Sequence, residues 1–347
     1  IQWIVSNRSV QIFGNQDSFS TTSELLDPST MAFSLQTDKG ASNKVKPQAL
    51  DNDVFYVQTG GKALMRHVFD PRSGTYASSN QSLTASHLIN DPVGSAVLGG
   101  DSLSDADYLF LVNSDGTLAV MQSLAEQNIL GWSLCGTGAN IGELSHMIPT
   151  DGKFKDAVAL NNVVYVLVER RIDNEQKLYI ERLSYNVMTD CSIVQSYQTS
   201  QSVISGLEPL EGQTVKVWAD GILLKEKLVN GGSITLSQGA SDVTVGINVP
   251  TQLTPLPVNV IGSKTKYIPK RIVRTWVSYY DSIGIYVEGT PIPELAWNDA
   301  IIDQPTVPKS GIYEDRLEGW GSQVTYTISQ SDPLPFLVTG IGYEVEL

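Results

Sequence analysis

The sequence has little of what most site chemistry needs. Among 347 residues there are two cysteines, Cys135 and Cys191, and three histidines, His67, His87 and His146. Two cysteines exclude a disulfide-stapled scaffold, and a bridge between them is not expected. None of the histidines stands at zinc-ligand spacing from a cysteine or another histidine, so they read as isolated core or surface residues. No apolar run is long enough for a transmembrane helix, and no signal peptide is visible. Positive charge is scarce: 23 Lys and Arg face 37 Asp and Glu, a net charge of −14. That excludes a basic nucleic-acid footprint over the whole surface. Helical periodicity is scarce too, because 29 glycines, 16 prolines and many β-branched residues interrupt it. Only "SLTASHLIN" (82–90) offers two helical turns, with Leu83, His87 and Leu88 on one face. The first residue is Ile1 rather than Met, which reads as a processed product or a fragment.

What the sequence does have is a repeated figure. "YLFLVNSDGTLAVMQSL", from Tyr108, is two apolar runs folded around Asp115-Gly116. The same figure opens the chain in "IQWIVSNRSVQIFGN". It returns in "DVFYVQTGGKALMRHVF", turning at Gly60-Gly61, and in "VVYVLVERRIDNEQKLYIERLS", turning near Asp173-Asn174. Runs of β-branched and aromatic residues fit a pleated surface, and Gly, Asn and Asp tolerate the positive φ of tight turns, so each figure predicts a β-hairpin. The first strands of the last three start at Val54, Tyr108 and Val163, 54 and 55 residues apart. A period near 50 predicts propeller blades or a comparable array. "VVYVLV" is apolar throughout, which predicts a strand covered on both faces. With 41% hydrophobic residues a sizeable core is available, and helix is expected below about 15% of the chain.

The pattern changes after Ser205. "GLEPLEGQTVKVWADGILLKEKLVNGGSITLSQGASDVTVGINV" holds short strands separated by Ala-Asp-Gly and Asn-Gly-Gly, and the proline-rich "VPTQLTPLPVNV" follows as an extended connector. Further on, "RIVRTWVSYYDSIGIYVEG" predicts a long hairpin turning at Asp281-Ser282. "WGSQVTYTISQSDPLPFLVTGIGYEVEL" predicts two closing strands. The expected organisation is a propeller-like β body over 1–204, a small inserted β-module over 205–258, and return strands over 259–347 that complete the body.

Several stretches resemble those of one family when taken together. "LEGQTVKVWADGILLKEKLVNGGSITL", followed about ninety residues later by "SDPLPFLVTGIGYEVEL", resembles the tail nozzle proteins of short-tailed bacteriophages, also called tail tubular protein B. "DYLFLVNSDGTLAVMQSLAEQNILGWSL" and "VVYVLVERRIDNEQKLYIERL" match further elements of the same pattern. The resemblance covers most of the chain, about Trp3 to Leu347, and rests on the order of several modest matches. It implies an all-β, propeller-like subunit of a six-fold ring in the virion tail, through which double-stranded DNA leaves the capsid. The partners it implies are other copies of the chain, the adaptor (tail tubular protein A), tail fibres and the host cell surface.

The residues themselves nominate no catalytic or cofactor site. "GWSLCG" around Ser133 misses the Gly-x-Ser-x-Gly elbow by one residue. "GTGANIG" departs from Gly-x-Gly-x-x-Gly, and no lysine follows it for a phosphate loop. Asp101, Asp105 and Asp107 in "DSLSDADY" lack the glycine and terminal glutamate of a calcium loop and read as a solvated acidic segment. The expectation is therefore no enzyme, no metal and no cofactor. One basic run, "SKTKYIPKRIVR", holds Lys264, Lys266, Lys270, Arg271 and Arg274. It is a candidate contact for DNA phosphates or for acidic surface on a neighbouring subunit. The plainer reading is an outward strand face alternating with core residues Ile272 and Val273. The alternative function, from another class, is a propeller enzyme or carbohydrate-binding protein acting on a cell-surface glycan. Six tryptophans and fourteen tyrosines would supply the stacking faces.

Overall fold

The computed structural model describes residues 1–21, 27, 29, 31–50, 52–100, 106–124, 127, 129–137, 152–173, 175–184, 187–258, 268–294, 307–316 and 319–347. Among these residues the secondary structure is antiparallel β-sheet, with short 3₁₀ turns and no α-helix. The chain divides into two compact units, Ile1–Ser184 and Tyr185–Leu347.

The first unit is four sheets built one after another along the chain. Sheet 1 runs β1 (Trp3–Ser6), β2 (Val10–Phe13), β3 (Ser18–Thr21) and β4 (Phe33–Thr37). Sheet 2 runs β5 (Gln48–Leu50), β6 (Asp53–Val57), β7 (Leu64–Asp70) and β8 (Thr75–Asn80). Sheet 3 runs β9 (Gly94–Leu98), β10 (Asp107–Val112), β11 (Leu118–Leu124) and β12 (Ile129–Cys135). Sheet 4 has β13 (Lys153–Leu160), β14 (Val163–Ile172) and β15 (Glu175–Arg182). Each is a meander of neighbouring strands, the pattern of a propeller blade, and none closes into a barrel.

Alternation along the strands decides how the sheets stack. Val5 and Phe13 of sheet 1 pack on Val54, Tyr56 and Met65 of sheet 2. The opposite face of sheet 2, with Phe55, Val57 and Leu64, packs on Leu109, Leu111, Ala119 and Met121 of sheet 3. The far face of sheet 3, with Phe110, Val112, Leu118 and Val120, packs on Phe154, Ala157, Val164, Val166 and Val168 of sheet 4. Each side chain so buried contributes about 1.5–3 kcal/mol before entropy is counted. Strands β6, β10 and the first half of β11 are therefore covered on both faces. The expectation for "VVYVLV" is corrected: β14 alternates, with Val164, Val166 and Val168 buried and Val163, Tyr165 and Leu167 half-exposed, because among the described residues of this unit no further sheet packs on that face. The turn chemistry behaves as read. Gly61, Gly116 and Asp173 all have positive φ, at 65°, 91° and 52°. The two helical turns expected at 82–90 reduce to one 3₁₀ turn, Ser86–Leu88.

In the second unit, sheet 5 holds β16 (Asp190–Ser205), β17 (Thr214–Ala219), β18 (Ile222–Leu228) and β19 (Ser233–Ile247) in the order β16-β19-β17-β18. The remaining strands are β20 (Thr251–Leu253), β21 (Arg271–Ser282), β22 (Tyr286–Val287), β23 (Thr290–Pro291), β24 (Lys309–Asp315), β25 (Ile328–Gln330) and β26 (Val338–Glu346). They form sheet 6, β20-β25-β22-β23, and sheet 7, β24-β21-β26. Their shared core includes Ile272, Val277, Ile285, Val287, Tyr326 and Ile328.

Three expectations change here. The inserted module starts near Asp190 rather than 205, because the polar stretch up to Ser205 forms the edge strand β16 along β19. The described part of 259–347 belongs to the same compact unit as sheet 5, not to the unit 1–184. Lys216 Nζ reaches Asp332 Oδ1 at 2.8 Å, and Trp218 Nε1 donates to the Pro333 carbonyl at 3.0 Å. Finally, Asp281-Ser282 is no hairpin turn. Strand β21 continues through it and pairs with β24 and β26, while β22 joins another sheet. Asp281, at φ 43°, sits where the β21–β24 register shifts. A bulge and a turn ask for the same positive-φ residue, so the local signal could not separate them.

Candidate functional site

Strand β21 carries Arg271 and Arg274 of the basic run, with Lys270 just before it, and it is the central strand of sheet 7. A strict period of two would put Arg271 and Arg274 on opposite faces. The register against β26 runs Arg271 to Glu346, Ile272 to Val345, then Arg274 to Glu344, which leaves Val273 as an extra residue. That bulge brings both arginines to the outer face, while Ile272, Thr275 and Val277 stay buried.

On that face the arginines meet carboxylates from both flanking strands. Arg271 Nε donates to Glu346 Oε2 at 2.7 Å, and its Nη2 lies 2.6 Å from the same oxygen. Arg274 Nε lies 2.9 Å from Glu314 Oε1 and 4.0 Å from Glu344 Oε2. Trp276 Nε1 donates to the other oxygen of Glu314 at 3.2 Å. The Arg271 guanidinium stands over the Trp320 ring and that of Arg274 over Trp276, at 5.4 and 5.9 Å from the ring centres. Each exposed pair is worth at most about 1 kcal/mol. Their main effect is on charge: two guanidiniums stand among three carboxylates, so this patch is net acidic.

Lys270 departs from the expected outer or subunit-facing placement. It is fully buried, and its backbone exchanges two hydrogen bonds with Gly321, both 2.9 Å. Lys264 and Lys266 lie outside the described residues. The described part of the run is thus no free row of cations. The described arginines are held within their own sheet, by Glu314, Glu344 and Glu346, which lie some 40 to 75 residues away and gave no local sign of the pairing.

The other motifs fall as follows. His67 is buried between sheets 1 and 2, stacked on Tyr76 with ring centres 4.9 Å apart, and its Nδ1 shares a hydrogen bond of 2.9 Å with Ser78 Oγ. Burial pushes its pKa down to about 4. Asp107 accepts from the Gly100 amide, a loop-closing role; Asp101, Asp105 and His146 lie outside the described residues, as does most of "GTGANIG". Ser133 lies within β12. Cys135 and Cys191 are not joined in a disulfide. Among the described residues no three His, Cys, Asp or Glu side chains are grouped to hold a metal ion.

Sequence reasoning did not foresee a groove of about 350 Å³ in the second unit, lined by Met188, Val194, Trp218, Asp242, Thr244 and Pro335. The Trp218 indole nitrogen is committed to Pro333, which leaves the ring as the contact the groove can use. No protein-family model matches the chain, and no curated protein matches it.

Proposed function

We propose that the chain is a virion structural protein, a subunit of the distal nozzle of a short phage tail. Copies form a ring, six-fold in the family it resembles, that conducts double-stranded DNA into the host, and the chain itself catalyses nothing. The observation that carries this reading is where the two most telling stretches lie. "TVKVWADG" and "SDPLP" stand more than 100 residues apart, yet Lys216 bonds Asp332 and Trp218 bonds Pro333. That the two stretches touch is what supports reading them together.

The charge fits a conduit. Each phosphate neutralised by a cation releases counterions and tightens binding, so a basic lumen would hold the genome back. An acidic wall repels the duplex over roughly 10 Å in physiological salt. The net −14 supports such a wall, and the carboxylates around Arg271 and Arg274 keep these two arginines of the basic run from gripping DNA. In this reading the adaptor docks above the ring, and fibres and the host surface are met beside and below it. Imaging of the purified protein tests the proposal, since it requires rings with an axial hole.

A second reading, a carbohydrate-binding module for a cell-surface glycan, is favoured by the Trp218 groove, where an aromatic ring and the Asp242 carboxylate line one depression. Saturable binding of host glycans by a monomer, lost on Trp218→Ala, would select it over the nozzle.

A further inference from the structure

The four sheets of the first unit stack in chain order, each giving one face to the sheet before it and the other to the sheet after it. Two faces of the stack are left over. On sheet 1, Ile4 stands opposite Ile12, Ile12 opposite Phe19, and Phe19 opposite Leu35. This apolar row crosses all four strands, about 15 Å at the usual strand spacing. Ile4 and Leu35 are each 61% exposed. On sheet 4, Val158 stands opposite Tyr165 and Leu167 opposite Ile180, with Leu178 beside them on β15. Leu178 is 61% and Ile180 79% exposed. Isolated exposed apolar residues are ordinary, but whole sheet faces of them mark contact surfaces.

We infer that these two faces bind each other between copies of the chain, sheet 4 of one copy against sheet 1 of the next. The contact continues the packing already present at three junctions inside the unit, apolar row on apolar row in the same chain direction. Charge supports the same pairing. On the open side of sheet 4, Glu169 is offset by Lys155, 3.2 Å away, which leaves Arg171 and Arg182, and residues 153–182 hold six basic against five acidic residues. Sheet 1 is bordered by Asp17, Asp27 and Asp38, with Arg8 as the only basic residue among the first 38. Pairing sheet 4 with sheet 1 sets basic against acidic, whereas sheet 1 against a second sheet 1 sets acid against acid. Each copy has one face of each kind, so the contact is heterologous and propagates head to tail. Its closure into a ring rests on the nozzle reading above; the contact itself follows from the two faces.

The test uses two single variants on exposed positions, Ile180→Glu on sheet 4 and Leu35→Glu on sheet 1, with mass measured by sedimentation. Circular dichroism matching wild type establishes that each is folded, and Leu178→Lys with Ile4→Lys serves as a second pair. Wild type is expected as a multimer and each variant alone as a monomer of 37.7 kDa. Mixing the two should give a 1:1 dimer and nothing larger, because one intact face of each kind remains. Wild-type assembly retained by either variant, a monomeric wild type, or no dimer on mixing would overturn the inference. Rings that persist in both variants would reject this contact and leave the nozzle reading standing. Head-to-tail chains abolished by the variants but never closing into rings would do the reverse.

Discussion

Trp218 donates its indole hydrogen to the carbonyl of Pro333, 3.0 Å away and 115 residues along the chain. Beside it Lys216 lies 2.8 Å from Asp332 and 3.1 Å from Glu226. Burial lowers the Lys216 pKa, but the hydrogen bonds it donates to Asp332 and Glu226 outweigh it and the net shift is upward. These contacts pin the segment between β25 and β26 to β17. Trp218→Phe keeps the ring and leaves the Pro333 carbonyl unpaired, so it should cost about 1 kcal/mol in urea unfolding. Unchanged stability would mean the bond is not formed in solution.

Acid should loosen the junction between sheets 1 and 2. The folded pKa of His67, about 4, lies below its unfolded value of 6.5, so between these values the unfolded chain binds the extra proton. Stability from this group is complete above about pH 6.5 and falls as pH drops toward 4, by about 3 kcal/mol in all. In His67→Phe that slope should vanish from unfolding free energies measured across the window. An identical slope in the variant would assign it to other groups.

Two glycines that look alike in the sequence should differ in cost. Gly116 and Gly221 each follow an Asp in a hairpin turn, at φ 91° and 81°. A Cβ on Gly221 would meet nothing within 4 Å, whereas one on Gly116 would lie 2.7 Å from the Cβ of Lys153. Gly221→Val should lose about 1–2 kcal/mol from backbone strain alone, and Gly116→Val distinctly more. Equal melting shifts would contradict the close approach of the β10–β11 turn to β13.

Removing carboxylates should create DNA binding where there was none. Wild type is expected to show no salt-sensitive duplex binding near micromolar concentrations in physiological salt. Glu314→Gln, Glu344→Gln and Glu346→Gln combined free Arg271 and Arg274, and duplex binding that weakens steeply with salt should appear. Tight binding by wild type, lost on Lys264→Glu or Arg271→Glu, would show that the run grips DNA and that the acidic-wall account is wrong.

The contrast between local and distant signals explains what could be read from sequence. Asp115-Gly116 and Asp220-Gly221 announced their hairpins because the turn needs those residues whatever the rest of the chain does, and Val54, Tyr108 and Val163 all fall in second strands of successive sheets. The opening figure pairs the first and second strands of its sheet instead, so it stands one strand out of step with the other three. Asp281 misled because a bulge uses the same backbone as a turn. Val273 could not be recognised as a bulge without its partner strand, so neither the shared face of Arg271 and Arg274 nor their pairing with Glu344 and Glu346 was visible. The open face of sheet 4 was hidden for a related reason: "VVYVLV" has the same letters whether its second face meets another sheet of the chain or not.

The central claim, that this chain is a subunit of a ring-shaped nozzle, is tested most directly by the size and shape of the purified protein. Native mass measurement combined with negative-stain imaging should give a single assembly of about six times 37.7 kDa, seen end-on as a ring with an axial hole. A stable monomer at all concentrations, with no ring in any field, would contradict it.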